Sequence, residues 1–227
     1  MTTTQDAPIF LTVRGTHSAA TVDAARVLHN ETAGSERGIA AARALGDLSH
    51  NVYVPAAGAQ SGAKSGELLF LDVWENPAGL MEFFSNEHVQ AQGAKMFTSK
   101  DASVWMPARG SFSFKFQAPS SRHDRYVGMI RAKITSPETA IEAFRTTISH
   151  TVRDARKRGQ MSHEIFIRMN PPGDDSPVEL LGIDVWYDAK GMAEHYAGSH
   201  MSGLAPAFAG APDASIWEQA PGNWSEW

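Results

Sequence analysis

Along the first half of the chain, hydrophobic and polar residues recur with the period of a strand in some stretches and with the period of a helix in others. Short stretches rich in β-branched and aromatic residues, or alternating between polar and apolar, predict strands. The third of these is apolar on both faces of the extended chain, so we expect it to be central in a sheet. Helical spacing predicts one helix after the first strand and another after the Asn76-Pro77 pair. The predicted strands are residues 9–14, 50–54, 68–74 and 103–105.

Three finer details follow from the same patterns. Gly34 is expected to interrupt the first helix. Met81, Phe84 and His88 are spaced so that one helix would carry them on a single apolar face. Residues 111–116 are expected to extend the fourth strand.

A long internal repeat governs the interpretation of the whole chain. Residues 67–88 and 179–200 match without a gap, and the second half repeats the predicted order β-α-β-β-α-β. We predict an α+β fold of two tandem ferredoxin-like (βαββαβ) repeats, with each repeat covering the open sheet face of the other. The predicted first repeat is 1–117, the linker 118–124 and the second repeat 125–227. The identical positions are Glu67, Leu68, Leu69, Asp72, Val73, Trp74, Gly79, Glu82 and His88, which recur as Glu179, Leu180, Leu181, Asp184, Val185, Trp186, Gly191, Glu194 and His200.

Composition narrows the classes of function. A net charge of −5 without a long basic run argues against a nucleic-acid partner. The chain has no cysteine, which excludes disulfides, thiolate metal sites and a cysteine nucleophile. No stretch has the length of a membrane span, and the first residues lack the features of a signal peptide. We therefore expect a cytoplasmic protein that does not enter membranes.

The stretch from Asp184 to Leu204 resembles the strand–helix signature of the antibiotic biosynthesis monooxygenase-like families of the dimeric α+β barrel superfamily. The resemblance implies an intrachain dimeric α+β barrel. It implies several activities: cofactor-independent oxygenases of quinols and aromatic polyketides, haem-degrading or haem-dependent enzymes, and cyclases. The first repeat departs from the signature, with Phe83 where the second has His195. The residues that carry the resemblance are Asp184, Trp186, Asp188, Gly191, His195 and His200.

Four residues are candidates for catalysis. His88 and His200 fall on predicted apolar helix faces, where a histidine needs a hydrogen-bond partner and is suited to act as a base. Asp72 and Asp184 lie in predicted strands, where a carboxylate must be paired, and each is placed to act as a base or to orient a histidine. A purely structural role remains an open interpretation for all four.

Further candidates would line a substrate pocket. Aromatic side chains on strands offer stacking surfaces for a flat substrate, although a core position is equally compatible with their pattern. His195 and His200 are five residues apart, which is poor spacing for chelation, so no metal site is expected. The candidate substrate-binding residues are Trp186, Trp74, His163, His50, His195 and Met192.

The leading hypothesis from the sequence is a small monooxygenase that oxidises a quinol- or phenol-like aromatic substrate without a cofactor. Because the repeats differ at Phe83 and His195, we favour the second repeat as the active one. Two alternatives stay open: a haem-binding or haem-dependent enzyme, and a non-catalytic protein that binds a small hydrophobic molecule. A homodimer is also left open.

Overall fold

The computed structural model describes residues 8–58, 62–119, 124–171 and 173–227. The chain forms two compact units. Unit 1 comprises the described residues of 1–55, 64–106 and 220–227, and unit 2 those of 56–63 and 107–219. Within the described ranges, no helix combines the length and the hydropathy that crossing a bilayer requires.

Unit 1 contains a four-stranded antiparallel sheet in the order β4-β1-β3-β2. This is the strand order of a ferredoxin-like βαββαβ repeat, in which the first and third strands are central. Its elements are β1 (Ile9–His17), α1 (Val22–Glu31), α2 (Glu36–Ala44), β2 (Asp47–Pro55), β3 (Glu67–Trp74), α3 (Pro77–Ser85), α4 (Glu87–Met96) and β4 (Phe97–Pro107).

Unit 2 has the same order with one extra edge strand, β9-β6-β8-β7-β5. Its first helix, α5, is continuous, whereas the matching helix of unit 1 is divided into α1 and α2 around Gly34 as expected. The elements are β5 (Phe114–Lys115), β6 (Tyr126–Lys133), α5 (Pro137–Lys157), β7 (Gln160–Arg168), β8 (Glu179–Trp186), α6 (Ala189–Tyr196), a 3₁₀ helix (Ser199–Ala207) and β9 (Asp213–Gln219). The predicted α+β class with two ferredoxin-like repeats is confirmed.

Two sequence-based details were wrong. The helix expected to carry Met81, Phe84 and His88 ends at Ser85, because the Asn86 side chain accepts hydrogen bonds from two backbone N–H groups and starts α4. Met81, on α3, is 65% exposed. Residues 111–116 do not extend the fourth strand; their extended part is β5, which pairs with β7 in unit 2.

Neither compact unit is continuous in sequence. Residues 107–117 belong to unit 2 and Ala220–Trp227 to unit 1, because these segments hydrogen-bond to strands there, as β5 does to β7. Of the predicted linker 118–124, residues 120–123 lie outside the described part of the chain.

Four matched tryptophans anchor the cores. Trp74 and Trp105 in unit 1, and Trp186 and Trp217 in unit 2, are at most 1% exposed. Two of them also satisfy their indole N–H groups by donating to Thr12 in unit 1 or Ser215 in unit 2. These large side chains occupy equivalent positions on the third and fourth strands of each repeat.

A glycine in the first turn of α3, and a matching one in α6, lets each helix approach the C-terminal end of α2 or α5, respectively. A Cβ atom on Gly191 would lie 1.8 Å from the carbonyl oxygen of Arg158, and one on Gly79 would lie 1.8 Å from the carbonyl oxygen of Leu45. Backbone oxygens cannot move aside as a flexible side chain can. Both repeats therefore require glycine here for steric reasons.

We expect Gly191→Ala to lower the free energy of unfolding by about 3 kcal/mol, because the added methyl group forces the helix away from its packed position. Gly210→Ala is the matched control, since a Cβ there meets nothing within 4 Å. Urea unfolding measured side by side checks this; equal stability of the two variants would contradict the steric explanation.

Candidate active site

Each unit contains a buried histidine–aspartate pair formed across two neighbouring strands. The registers of β7 with β8 and of β2 with β3 place His163 opposite Asp184 and His50 opposite Asp72. In both pairs the histidine Nδ1 lies 2.6 Å from the aspartate Oδ1. Directly opposed residues of antiparallel strands project to the same face of the sheet, so the register itself creates each pair.

In unit 2 the far side of the pair, the His163 Nε2, has no hydrogen-bond partner among the described residues. His163 is 2% exposed. The rings of Phe114 and Phe144 stack beside it, with centroids 6.0 and 6.2 Å away. With Nδ1 held by the carboxylate, the neutral ring carries its hydrogen on Nδ1 and leaves the Nε2 lone pair available to accept a proton.

Tyr196 holds the second carboxylate oxygen of Asp184. Its hydroxyl donates to Asp184 Oδ2 at 2.7 Å and accepts from Trp186 Nε1 at 3.3 Å. Burial and the nearby Asp184 carboxylate raise the pKa of Tyr196 well above its usual value, so the hydroxyl stays protonated and donating. Gly128 provides the space, because a Cβ there would lie 1.9 Å from the Tyr196 hydroxyl oxygen.

The unit 2 pair lies in the wall of a cavity of about 750 Å³. Most of the lining is aliphatic or aromatic, which suits a small aromatic molecule. Among the described residues that line it there is no lysine or arginine, and the ionisable lining residues are His163, Asp184, His195, Tyr196, Tyr126 and Glu218.

His195 and His200 form a second histidine contact in unit 2, with their Nε2 atoms 3.3 Å apart. Burial, and then the proximity of His200, lower the pKa of His195 to about 4. His195 is therefore neutral near pH 7. It lines the cavity, whereas His200 is half-buried on the 3₁₀ helix and is not among the lining residues.

In unit 1 a third side chain closes the matching pair by bonding to the second ring nitrogen of its histidine. His50 Nε2 lies 3.0 Å from His29 Nε2, and the two rings stack with centroids 5.1 Å apart. His29 stands eight residues after its helix N-cap Thr21, the position that Phe144 occupies in unit 2 after Ser136. The nitrogen that is free in unit 2 is thus already bonded in unit 1.

Charges around the unit 1 pair differ as well. Burial, and then the charge of His50, lower the pKa of His29 to about 4. Burial also acts to lower the pKa of His50, but the carboxylates of Asp72 and Asp47 outweigh it and raise that pKa. Burial, and then Asp72, raise the pKa of Asp47 to about 7. Phe84 replaces Tyr196 in this unit, so the matching aspartate lacks the tyrosine hydroxyl.

The structure brings together some of the predicted site residues and separates others. Asp184 and Asp72 pair with His163 and His50. His88 is exposed on α4, where its Nε2 lies 3.3 Å from the Gln92 amide nitrogen. Trp74 and Met192 line the cavities of units 1 and 2, whereas Trp186 is fully buried and reaches the site only through Tyr196.

Sequence reasoning missed Tyr196 and Phe144, and it found no matching position in the second repeat for His29. The signal was present in the repeat: Tyr196 matches Phe84, and Phe144 matches His29 by distance from the helix N-cap. A hydroxyl or an imidazole that replaces a phenyl ring at matched positions indicates where two copies of one fold differ in chemistry.

Comparison with solved structures identifies the class of fold. No protein-family model and no curated protein sequence matches the chain. An anthrone oxidase-like protein matches with 12% identity and a TM-score of 0.65, covering 96% of this chain and 93% of that one. A "putative monooxygenase" from Lactobacillus acidophilus matches with 12% identity and a TM-score of 0.60, covering 94% and 93%. A mutant chlorite dismutase from Candidatus Nitrospira defluvii, in complex with cyanide, matches with 10% identity and a TM-score of 0.54, covering 96% and 92%.

These structures and this chain share one fold. The predicted resemblance to antibiotic biosynthesis monooxygenase-like proteins is confirmed at that level. At such low identity the likeness defines the fold and not the reaction.

The depressed pKa of His195 predicts a pH dependence of stability. Below about pH 6.5 the unfolded chain binds a proton at this histidine, whereas the folded protein does not until about pH 4. The stabilising contribution is therefore complete above pH 6.5 and is lost as the pH falls. For His195→Phe, which introduces the residue found at the matching position 83, we expect the loss of stability between pH 7 and pH 5 to shrink by about 2 kcal/mol.

Urea unfolding at both pH values measures this difference. His150→Phe, at an exposed position on α5, is the control and should keep the wild-type pH dependence. An unchanged pH dependence in His195→Phe would show that His195 titrates alike in the folded and unfolded states.

Proposed function

We propose that the protein is a monooxygenase that oxidises a phenol- or quinol-like aromatic molecule in the cavity of unit 2, without a tightly held cofactor. The observation that carries the proposal is the buried His163, held at Nδ1 by Asp184, with an unpartnered Nε2 in the wall of an apolar cavity. The names of two structures with the same fold, an anthrone oxidase-like protein and a monooxygenase, agree with this chemistry.

His163 acts as the general base in this proposal. Its Nε2 accepts the phenolic proton, and Asp184 stabilises the imidazolium that forms, with Tyr196 keeping the carboxylate in place. The apolar lining excludes water, which strengthens the interaction of the phenolate with the imidazolium. An electron-rich phenolate is a direct electron donor to O₂.

The reaction balances without a second reductant. A phenol with hydrogen on the carbon para to its hydroxyl loses both hydrogens and becomes a quinone. One atom of O₂ becomes the new carbonyl oxygen and the other leaves as water. The substrate supplies all four electrons, so no flavin or nicotinamide is required.

The haem alternative matches unit 2 in one respect and not in another. A histidine whose Nδ1 is bonded to a carboxylate is a suitable axial ligand through Nε2, and haem would supply redox chemistry at its iron. Haem also carries two propionates, and the described lining of this cavity has no cation to pair with them. The lining therefore favours an uncharged aromatic molecule.

The direct test uses 1-naphthol, whose expected product is 1,4-naphthoquinone. The reaction is measured by oxygen uptake and by the absorbance of the quinone. We expect His163→Gln to lower kcat/KM at least about 100-fold, because the base is removed, and Asp184→Asn to lower it strongly as well. 4-Methyl-1-naphthol, which cannot form the quinone, should give no quinone product.

His50→Gln is the matched control, since the same pair in unit 1 is closed by His29; its activity should stay within about twofold of wild type. Equal activity in His163→Gln and wild type would rule out His163 as the base. Binding of naphthols without oxygen uptake would support the non-catalytic alternative. A Soret band that appears on titration with haem and is lost in His163→Gln would support the haem alternative.

A further inference from the structure

The cavity of unit 1 differs in chemistry from that of unit 2. It measures about 640 Å³, and its floor is formed by aromatic and aliphatic side chains such as Phe70, Leu80 and Trp74. Its histidine pair is closed by His29, so this cavity has no free base of the kind found in unit 2. A cavity of this size that lacks the base is suited to binding rather than to proton abstraction.

Buried polar atoms without partners are concentrated around this cavity. Nine such side-chain atoms occur among the described residues, and four belong to residues that line it: Trp74 Nε1, Trp227 Nε1, Asp47 Oδ1 and Gln92 Oε1. Trp74 is 1% exposed and Asp47 6% exposed. A buried polar group without a partner is costly, and a cluster of them beside a cavity indicates a ligand that completes their hydrogen bonds.

Two of these four atoms, on Trp74 and Trp227, are donors only, and one, Gln92 Oε1, is an acceptor only. An indole N–H only donates, and Asp47, whose pKa is raised to about 7, is protonated in about half of the molecules at neutral pH and then donates too. The matching ligand carries oxygen acceptors such as carbonyl groups. Unit 2 presents the opposite arrangement, in which His163 accepts a hydrogen from the ligand.

Two cations distinguish the lining further. Arg37 and Lys100 both line the unit 1 cavity, both are exposed, and neither has an ion-pair partner among the described residues. Of the three acidic residues in the described lining, Asp47 and Asp72 are buried and Glu82 is exposed, so the exposed part of the lining carries two cations and one carboxylate. The described lining of the unit 2 cavity has no cation.

We propose that unit 1 holds a second, non-catalytic binding site for an aromatic molecule that carries both carbonyl oxygens and a carboxylate. The rings lie against the apolar floor, the indole N–H groups donate to the carbonyl oxygens, and Arg37 and Lys100 attract the carboxylate. The site does not depend on the reaction proposed for unit 2.

Isothermal titration calorimetry with three related probes tests the site. We expect anthraquinone-2-carboxylate to bind one molecule per chain at this site, and to bind at least about 10-fold more tightly than 2-(hydroxymethyl)anthraquinone, which lacks the charge, or anthracene-2-carboxylate, which lacks the carbonyl groups. The affinity for the charged probe should fall as salt is added, because the cations are exposed.

Variants locate the binding. The double variant Arg37→Gln/Lys100→Gln should bind anthraquinone-2-carboxylate at least about 10-fold more weakly than wild type. Trp74→Phe, which keeps an aromatic ring and removes the N–H donor, should bind it about 5-fold more weakly. The matched control is Arg109→Gln/Lys133→Gln, two exposed residues of unit 2 that line neither cavity and have no ion-pair partner among the described residues. Its affinity should equal that of wild type.

His163→Gln separates this proposal from the one for unit 2, because it should abolish oxygen uptake and leave binding of anthraquinone-2-carboxylate intact. Loss of binding in His163→Gln, equal binding in the Arg37→Gln/Lys100→Gln variant and wild type, or no binding at all would each overturn the proposed site. Thermal unfolding of every variant verifies that it is folded.

Discussion

The hydrogen bond between a histidine and an aspartate on neighbouring strands is the constraint around which both units are organised. It buries two ionisable groups, which is tolerated only because each satisfies the other. The bond requires one strand register, since a shift by one residue would turn one side chain to the opposite face. Whatever else differs between the units, this register is the same in both.

The units differ in what meets the free side of the imidazole. In unit 2, Phe144 stacks on the ring but cannot bond to its Nε2, so this nitrogen has no partner among the described residues. In unit 1, His29 occupies the equivalent helix position and is hydrogen-bonded to the corresponding nitrogen of His50. The residue at one helix position therefore decides whether the histidine Nε2 is bonded, while the strand register beneath it is the same in both units.

Much of the fold was predictable from the sequence, because strand and helix periodicities are local and each element occurs in both copies of the repeat. The members of both pairs were also recognised as candidates. The pairing was not: Asp184 was a candidate to orient a histidine, but the sequence did not indicate that this would be His163 on the adjacent strand. Strand register is a property of two segments at once, and a pattern within one segment does not reveal it. The break at Asn86 was missed for a related reason, since a single capping side chain ended a helix whose apolar spacing continues.

Unit 1 is assembled from segments that are far apart in the sequence, and this affects the order in which the two units fold. Its last segment, Ala220–Trp227, pairs with the strand that carries His50, and Trp227 stacks on the His50 ring. All of residues 107–219 are synthesised before that segment. During translation, unit 2 has nearly all of its residues before unit 1 obtains its final ones. Closing such a long stretch of chain is slow compared with forming local contacts, so the half of the protein that begins first is the half that is completed last.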